Sequence, residues 1–214
     1  MIWHLENPPD NSLMSSWHTF KLVASTDVKV TLDGQGADEQ LGGYLPYLLN
    51  YISSLSIVDM FSQAKKCLQI PNSSKYVFVG LCLGLYRVLF GEKFLKFTIK
   101  NIFKRDFETN LNKKLGIDTM GSLITLIHYA DHTSMAFSIE SRMPFMDYRL
   151  VEFLASVPAC YKMRDGWTKY LARLAFDGKL PDEINWRKDK MGWPIPQDYW
   201  FRGASKNHFI KEVN

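Results

Sequence analysis

Val28, Val30 and Leu32 alternate with polar residues in DVKVTLD, residues 27–33. A period of two, rich in β-branched side chains and followed by glycine, predicts a strand that runs into a turn. Beyond Gly43 the period lengthens, and Leu45, Leu48, Leu49 and Ile52 fall on one helical face. From Phe61 to Leu126 the pattern stays helical, with breaks at IPNSS (70–74) and near Gly116. MDYRLVEFLASVP (146–158) predicts a helix that Asp147 caps, whose apolar face is Leu150, Val151, Leu154 and Ala155, and that Pro158 stops. RDGWTKYLARLAF (164–176) predicts another helix after Gly166, with Thr168 as its cap and Lys169 in its first turn. A lone strand leaves its edge N–H and C=O groups unpaired, so this one needs neighbours that the chain does not obviously supply.

Composition narrows the class. With 214 residues, 46% of them hydrophobic and 14% aromatic, the chain can bury one globular core. The most apolar run, YVFVGLCLGLY (76–86), is interrupted by Arg87, far short of the roughly 20 residues of a membrane span, and reads as a buried helix. The formal charge of +4 is uneven. Residues 1–60 hold two Lys and seven Asp or Glu, a net −5 that leaves +9 for the remainder. Lys93, Lys96, Lys100 and Lys104 lie close to one helical face and read as a solvated face rather than an RNA or acidic-lipid patch. Phe94, Phe97, Phe103 and Phe107 interleave with them at a spacing that suits a core. Cys67, Cys82 and Cys160 lack CxxC spacing, which points to neither a zinc site nor a disulfide framework. The opening MIWHLENPPD has no basic start or continuous apolar core of a secretory leader, so a reducing, cytoplasmic setting is expected.

The densest chemistry is LDGQGADEQLGGY, residues 32–44, with four glycines and three acids directly after the strand. It lacks the last glycine of GxGxxG, because Glu39 stands there, and GxxxxGK[ST] occurs nowhere in the chain. Gly34 and Gly36 would let backbone amides approach phosphate oxygens or a hydroxyl, and Asp38 could hold the Mg²⁺ that accompanies a polyphosphate. On this local pattern alone, an ordinary strand-to-helix turn and a ligand site stand level. HYADH (128–132) superficially resembles a metalloprotease HxxEH, but has Asp for the general-base Glu and no evident third ligand. Glu140 and Arg142 read as an interior structural pair rather than a catalytic one.

VKVTLDGQGADEQLGGY, HYADHTSMAFSIESRMPFMDYRLVEF, GWTKYLARLAF and LPDEINWRKDKMGWPIP occur in the order and character of one family's motifs. Together they resemble the C-terminal synthetase domain of glutamine-hydrolysing asparagine synthetases, and IWHLENPPD is similar to the stretch before that family's Gly-rich turn. The resemblance covers most of residues 1–214 and is weakest in 55–115.

The resemblance implies an α/β fold, the C-terminal part of an ATP-pyrophosphatase (adenine nucleotide α-hydrolase-like) domain, mostly α-helical in this chain with few strands. It implies ATP and Mg²⁺ as cofactors, and aspartate and glutamine-derived ammonia as partners, with no nucleic acid and no membrane span. The family's SGGxDS loop and its N-terminal glutaminase with a cysteine nucleophile do not occur in these residues, which implies a missing N-terminal half and no activity for this chain alone. By matching position, Asp38 supports Mg²⁺ and pyrophosphate, Gly34 and Gly36 lend backbone to the adenylate, and Asp33 stands where many members have serine. Lys169 matches the lysine that stabilises adenylation. Gln35 replaces Glu, Asp or Tyr; an amide cannot take a proton from an attacking ammonium, which leaves it the orientation of substrate. His128 and His132 fall where Arg is expected in close relatives. Arg187 to Trp193 corresponds to a basic loop that closes over the site. Amide formation on another carboxylate, and a non-catalytic remnant or interaction module, are the alternatives.

Overall fold

The computed structural model describes residues 2–5, 13–189 and 202–203. Its elements, in chain order, are α1 (Ile2–Leu5), α2 (Leu13–Val23), β1 (Val30–Leu32), α3 (Ala37–Leu41), α4 (Tyr47–Ser54), α5 (Ile57–Cys67), α6 (Ser74–Phe90), α7 (Glu92–Phe103), α8 (Leu111–Thr119), α9 (Ser122–Met135), β2 (Glu140–Arg142), α10 (Tyr148–Ser156), α11 (Ala159–Lys162), β3 (Met163–Arg164), β4 (Trp167–Thr168), α12 (Tyr170–Ala175) and α13 (Asp182–Asn185). Helices dominate and the strands are short, as the hydrophobic pattern predicts. The described residues divide into two compact units, one with residues 13–32 and 127–142, the other with residues 33–126 and 143–189.

In the first unit β1 finds a parallel neighbour in β2, with Val30 opposite Glu140, Thr31 opposite Ser141 and Leu32 opposite Arg142. The Glu140 amide extends the ladder by donating to Lys29 O at 2.9 Å. This neighbour was illegible in the sequence, because Glu-Ser-Arg has no apolar alternation. The alternating side chains of the strand face outward: Val28, Val30 and Leu32 are exposed, while Thr31 is half-buried. Glu140 and Arg142 pair at 2.9 Å on one strand and in solvent, so the expected interior pair is corrected to a surface one. Arg142 holds the Glu140 carboxyl below its ordinary range. Nearby, Trp17 packs edge-on against Phe137 with ring centres 4.7 Å apart.

The core of the second unit gathers Leu48, Tyr51 and Ile52 of α4 with Met60 and Cys67 of α5, Val77 of α6, and Leu111 and Leu115 of α8. α4 buries more than the stripe seen in sequence, with Tyr47 and Asn50 inside as well. α6 lies close on α4 and α5 through two glycines one turn apart. A Cβ at Gly80 would stand 3.2 Å from Ile52 Cβ, and one at Gly84 would overlap Met60 Sδ. Only that face of α6 is buried; Phe78, Val79 and Leu85 are exposed, which corrects the expectation of a buried helix over 76–86. No described helix is long and apolar enough to cross a membrane.

Other expectations change with tertiary packing. α8 runs through Gly116 and ends at Thr119, so the break falls later than the glycine. Two lysines of the row meet acids. Lys96 bridges Glu92 at 2.9 Å and Glu108 at 3.3 Å, Lys100 pairs with Asp106 at 3.2 Å, and Lys104 caps α7 in a left-handed conformation. Phe94, Phe97 and Phe103 are exposed rather than in the core. α10 starts and stops where its sequence says. The Asp147 carboxylate accepts from the Arg149 amide, and the helix ends at Ser156, two residues before Pro158. Of its expected apolar face Leu154 is buried, Leu150 and Val151 are half-buried, and Ala155 is exposed.

Candidate functional site

The Gly-rich stretch leaves β1 as an open turn, Asp33-Gly34-Gln35-Gly36, and closes into α3. Gly36 is left-handed at φ 92°, a conformation that L side chains rarely adopt. A Cβ there would also stand 2.8 Å from Met146 Sδ and 3.0 Å from Gln40 Nε2, so the turn is packed on its inner side. Gln40 secures it further, its amide nitrogen donating to Phe145 O at 2.7 Å. The outer side is open. Gly34 is exposed, and a Cβ on it would meet nothing within 4 Å. Asp33 and Gln35 are half-buried on the same turn.

Asp38 and Glu39, adjacent in α3, diverge. Glu39 is 2% exposed, and its carboxylate accepts a 2.8 Å hydrogen bond from Tyr44 Oη. Burial, together with that bond, pushes the Tyr44 phenol above its ordinary value, which keeps it a donor. Asp38 turns instead to Lys169, with Nζ 2.9 Å from Oδ1 and both side chains partly exposed. Gly43 makes this meeting possible, since a Cβ on it would overlap Asp38 Oδ1 and Lys169 Cε.

Lys169 arrives differently from the sequence expectation. Thr168 belongs to β4, paired antiparallel with β3, and α12 begins only at Tyr170. Lys169 is therefore the residue before the helix, not part of its first turn, and it is left-handed at φ 54°. The conformation turns the chain out of the β3–β4 hairpin at the position whose side chain reaches Asp38. Arg173 supports the corner by donating from Nε to Thr168 O at 2.8 Å.

Of the residues singled out from sequence, the structure thus joins Asp38 to Lys169 and places Asp33, Gly34, Gln35 and Gly36 on one turn. Among the described residues no hydrogen bond or ion pair links Asp33 or Gln35 to Lys169. Sequence reasoning missed Gly43, Gln40 and the Glu39–Tyr44 bond, for which the only signal was the compact spacing of DEQLGGY. Of the basic loop, Lys188 donates to Gln69 Oε1 at 2.6 Å and lies over the Trp167 ring at 4.5 Å. Its Lys190 to Trp193 part lies outside the described residues, as does most of the opening stretch MIWHLENPPD. His132 Nδ1 lies 3.0 Å from His4 O, and its ring lies tilted against that of His128 with centres 4.1 Å apart. Cys67, Cys82 and Cys160 are free thiols.

The asparagine synthase family profile matches residues 1–214. The chain belongs to the asparagine synthase family. Glutamine-hydrolysing asparagine synthetase 1 of Bacillus subtilis (strain 168) is 24% identical over 245 aligned positions, which cover 100% of this chain and 38% of the relative. Synthetase 3 of the same bacterium is 28% identical over 81% of the chain and 27% of its own length. Amidase chry2 of Gibberella zeae is 23% identical over 92% of the chain and 37% of the relative. The chain therefore spans only about a quarter to two fifths of the length of these relatives. No solved structure gives a significant match. The family match and the synthetase relatives support a ligase-type enzyme family, and Asp38, Gly43 and Lys169 form the candidate site.

Proposed function

We propose that this chain is the C-terminal part of an ATP-dependent amide-forming synthetase of the ATP-pyrophosphatase fold, with asparagine formation from aspartate as the first reading. The observation that carries it is the Asp38–Lys169 pair at 2.9 Å beside an open Gly-rich turn. In this reading an oxygen of the acceptor carboxylate attacks the α-phosphorus of ATP, the α–β bridging P–O bond breaks, and pyrophosphate leaves. Ammonia then attacks the acyl carbon, AMP departs with the oxygen, and the surplus proton passes to solvent, giving the amide.

Charge neutralisation and alignment supply most of the catalysis in such a reaction. The exposed Gly34 amide lies where a phosphate or ribose oxygen could accept from it. Lys169 neutralises charge on departing pyrophosphate, and Asp38 both orients that ammonium and offers a hard oxygen ligand. Among the described residues no group of three His, Cys, Asp or Glu is placed to hold a metal ion. A Mg²⁺ fits here as one held by Asp38 together with polyphosphate oxygens, the usual way that this ion binds; it would supply charge neutralisation. Gln35 orients the acceptor.

The relative named an amidase favours a second reading, amide chemistry on another carboxylate. ATP–pyrophosphate exchange tests both. With the chain fused behind the N-terminal part of the Bacillus subtilis synthetase 1, exchange that depends on aspartate supports the first reading. Exchange that depends on a different carboxylate supports the second, and none with any carboxylate counts against both.

A further inference from the structure

α6 and α7 are joined through Gly91 alone and fold back on each other, with the Tyr86 and Thr98 hydroxyls hydrogen-bonded at 2.9 Å. Their inner faces are narrow: Val77, Gly80 and Gly84 of α6 are buried, and Leu95 and Ile99 of α7. The outer faces are apolar where a solvated pair of helices would be polar. Phe78, Cys82, Leu85 and Leu89, spaced to share one face of α6, are all exposed, Phe78 at 68% and Leu89 at 74%. The same spacing along α7 and its cap gives Lys93, Phe97, Lys100 and Lys104, with Phe97 64% exposed. A row of rings joins the two helices: Tyr86 lies 4.7 Å from Phe90 and 6.0 Å from Phe94, which is 6.4 Å from Phe97.

This apolar surface is also the basic part of the protein. Residues 75–105 hold seven Lys or Arg against one acid, Glu92, a net +6 on a chain of net +4. Among the described residues Lys93, Lys104 and Arg105 make no ion pair, and the Lys100–Asp106 pair lies in solvent, where such a pair is weak and exchangeable. The lysine row reads as an ordinary solvated face only while its phenylalanines fill a core, and Phe94, Phe97 and Phe103 stand outside it. Charge and composition separate the occupants that could cover such a face. A second copy laid face to face would set +6 against +6. Protein interfaces are depleted in lysine, the residue that flanks Phe97 on its own face. A nucleic-acid strand offers phosphates to the lysines but nothing to the aliphatic face of α6. An anionic bilayer answers both, its headgroups meeting the lysines and its acyl chains taking up leucine and phenylalanine. We propose that the α6–α7 hairpin docks the protein on the surface of a membrane rich in anionic phospholipid, lying in the headgroup layer with Phe78, Leu89 and Phe97 inserted. It crosses nothing, since no described helix is long and apolar enough.

The proposal does not depend on the synthetase reading, because binding needs no turnover. Flotation of the 214-residue chain with lipid vesicles tests it. Vesicles of mixed phosphatidylserine and phosphatidylcholine should carry the protein up the gradient, and vesicles of phosphatidylcholine alone should not. Raising the salt from about 0.1 M to about 1 M should release most of it, as the screening length shrinks from about 10 Å to about 3 Å. Leu89→Ser with Phe97→Ser should abolish flotation at an unchanged melting temperature, both side chains being exposed. Lys93→Gln with Lys104→Gln should weaken it by roughly tenfold or more, and decides the matter if the first variant does not fold. No flotation with the anionic vesicles, equal flotation with the neutral ones, or full flotation of either folded variant would overturn the proposal. A dimer that Leu89→Ser with Phe97→Ser dissociates would assign the face to a second copy. Loss of flotation on fusion behind the N-terminal part of the Bacillus subtilis synthetase 1 would assign it to a contact within a longer chain, and either result also overturns the proposal.

Discussion

Lys169 Nζ and Asp38 Oδ1 meet at 2.9 Å because the chain between them on the Asp38 side carries no side chain at Gly43. A left-handed lysine ahead of α12 and the absence of a side chain at Gly43 after α3 converge on one ion pair.

If Lys169 stabilises departing pyrophosphate, Lys169→Ala in the fused protein lowers ATP–pyrophosphate exchange by about a hundredfold, or about 3 kcal/mol, the scale for removing one preorganised donor. Lys169→Arg recovers little, since a planar fork does not replace a compact ammonium. Wild-type exchange in the alanine variant removes Lys169 from the mechanism.

Gly43→Ala tests the geometry without touching either charge. The added methyl overlaps Asp38 and Lys169, so the pair must separate or the backbone must shift, at about 1–3 kcal/mol for overpacking. Exchange should fall with the melting temperature of the fused protein, and an unchanged rate and melting temperature would show that the meeting tolerates the methyl.

Tyr44→Phe leaves the Glu39 carboxylate buried without its 2.8 Å donor. Urea unfolding should show a loss of about 2–3 kcal/mol, and Glu39→Gln in the same background should recover part of it, because a neutral amide costs less to bury. Equal losses with and without Glu39→Gln would mean that the bond does not carry the effect.

Lys162 makes stability depend on pH in a definite direction. Burial lowers its ammonium to about 8 in the fold against an ordinary 10.5, so between these values the unfolded chain binds more protons. Stability therefore rises as pH climbs through about 8, by about 3 kcal/mol if the whole shift is expressed. Above about pH 9 the Cys67 thiol, pushed by burial up to about 11 from 9.0, works the other way. Melting curves should climb from about pH 7 to 9, and Lys162→Met should flatten the climb. A flat wild-type profile would mean that Lys162 reaches water or a partner.

Sequence alone determined the features that depend on near neighbours. The alternation of Val28, Val30 and Leu32 predicts a strand, realised over Val30–Leu32; Asp147 and Pro158 bound α10; and the glycines around Asp38 mark a turn, because conformational preference and capping act within a few residues. The order of motifs likewise sufficed to recognise the family. Tertiary structure alone decided what those elements touch. Three polar residues, Glu140 to Arg142, became the neighbour of β1 because strand pairing uses backbone groups that every non-proline residue carries. Lys169 left its expected helical turn because the β3–β4 hairpin reached as far as Thr168, and Lys96 and Lys100 met acids beyond their own helix. Asp38 and Glu39 look alike in sequence, yet one faces a cation near the surface and the other is enclosed with a tyrosine; the difference lies in helix phase and in which distant side chain fills each side, and both belong to the folded chain.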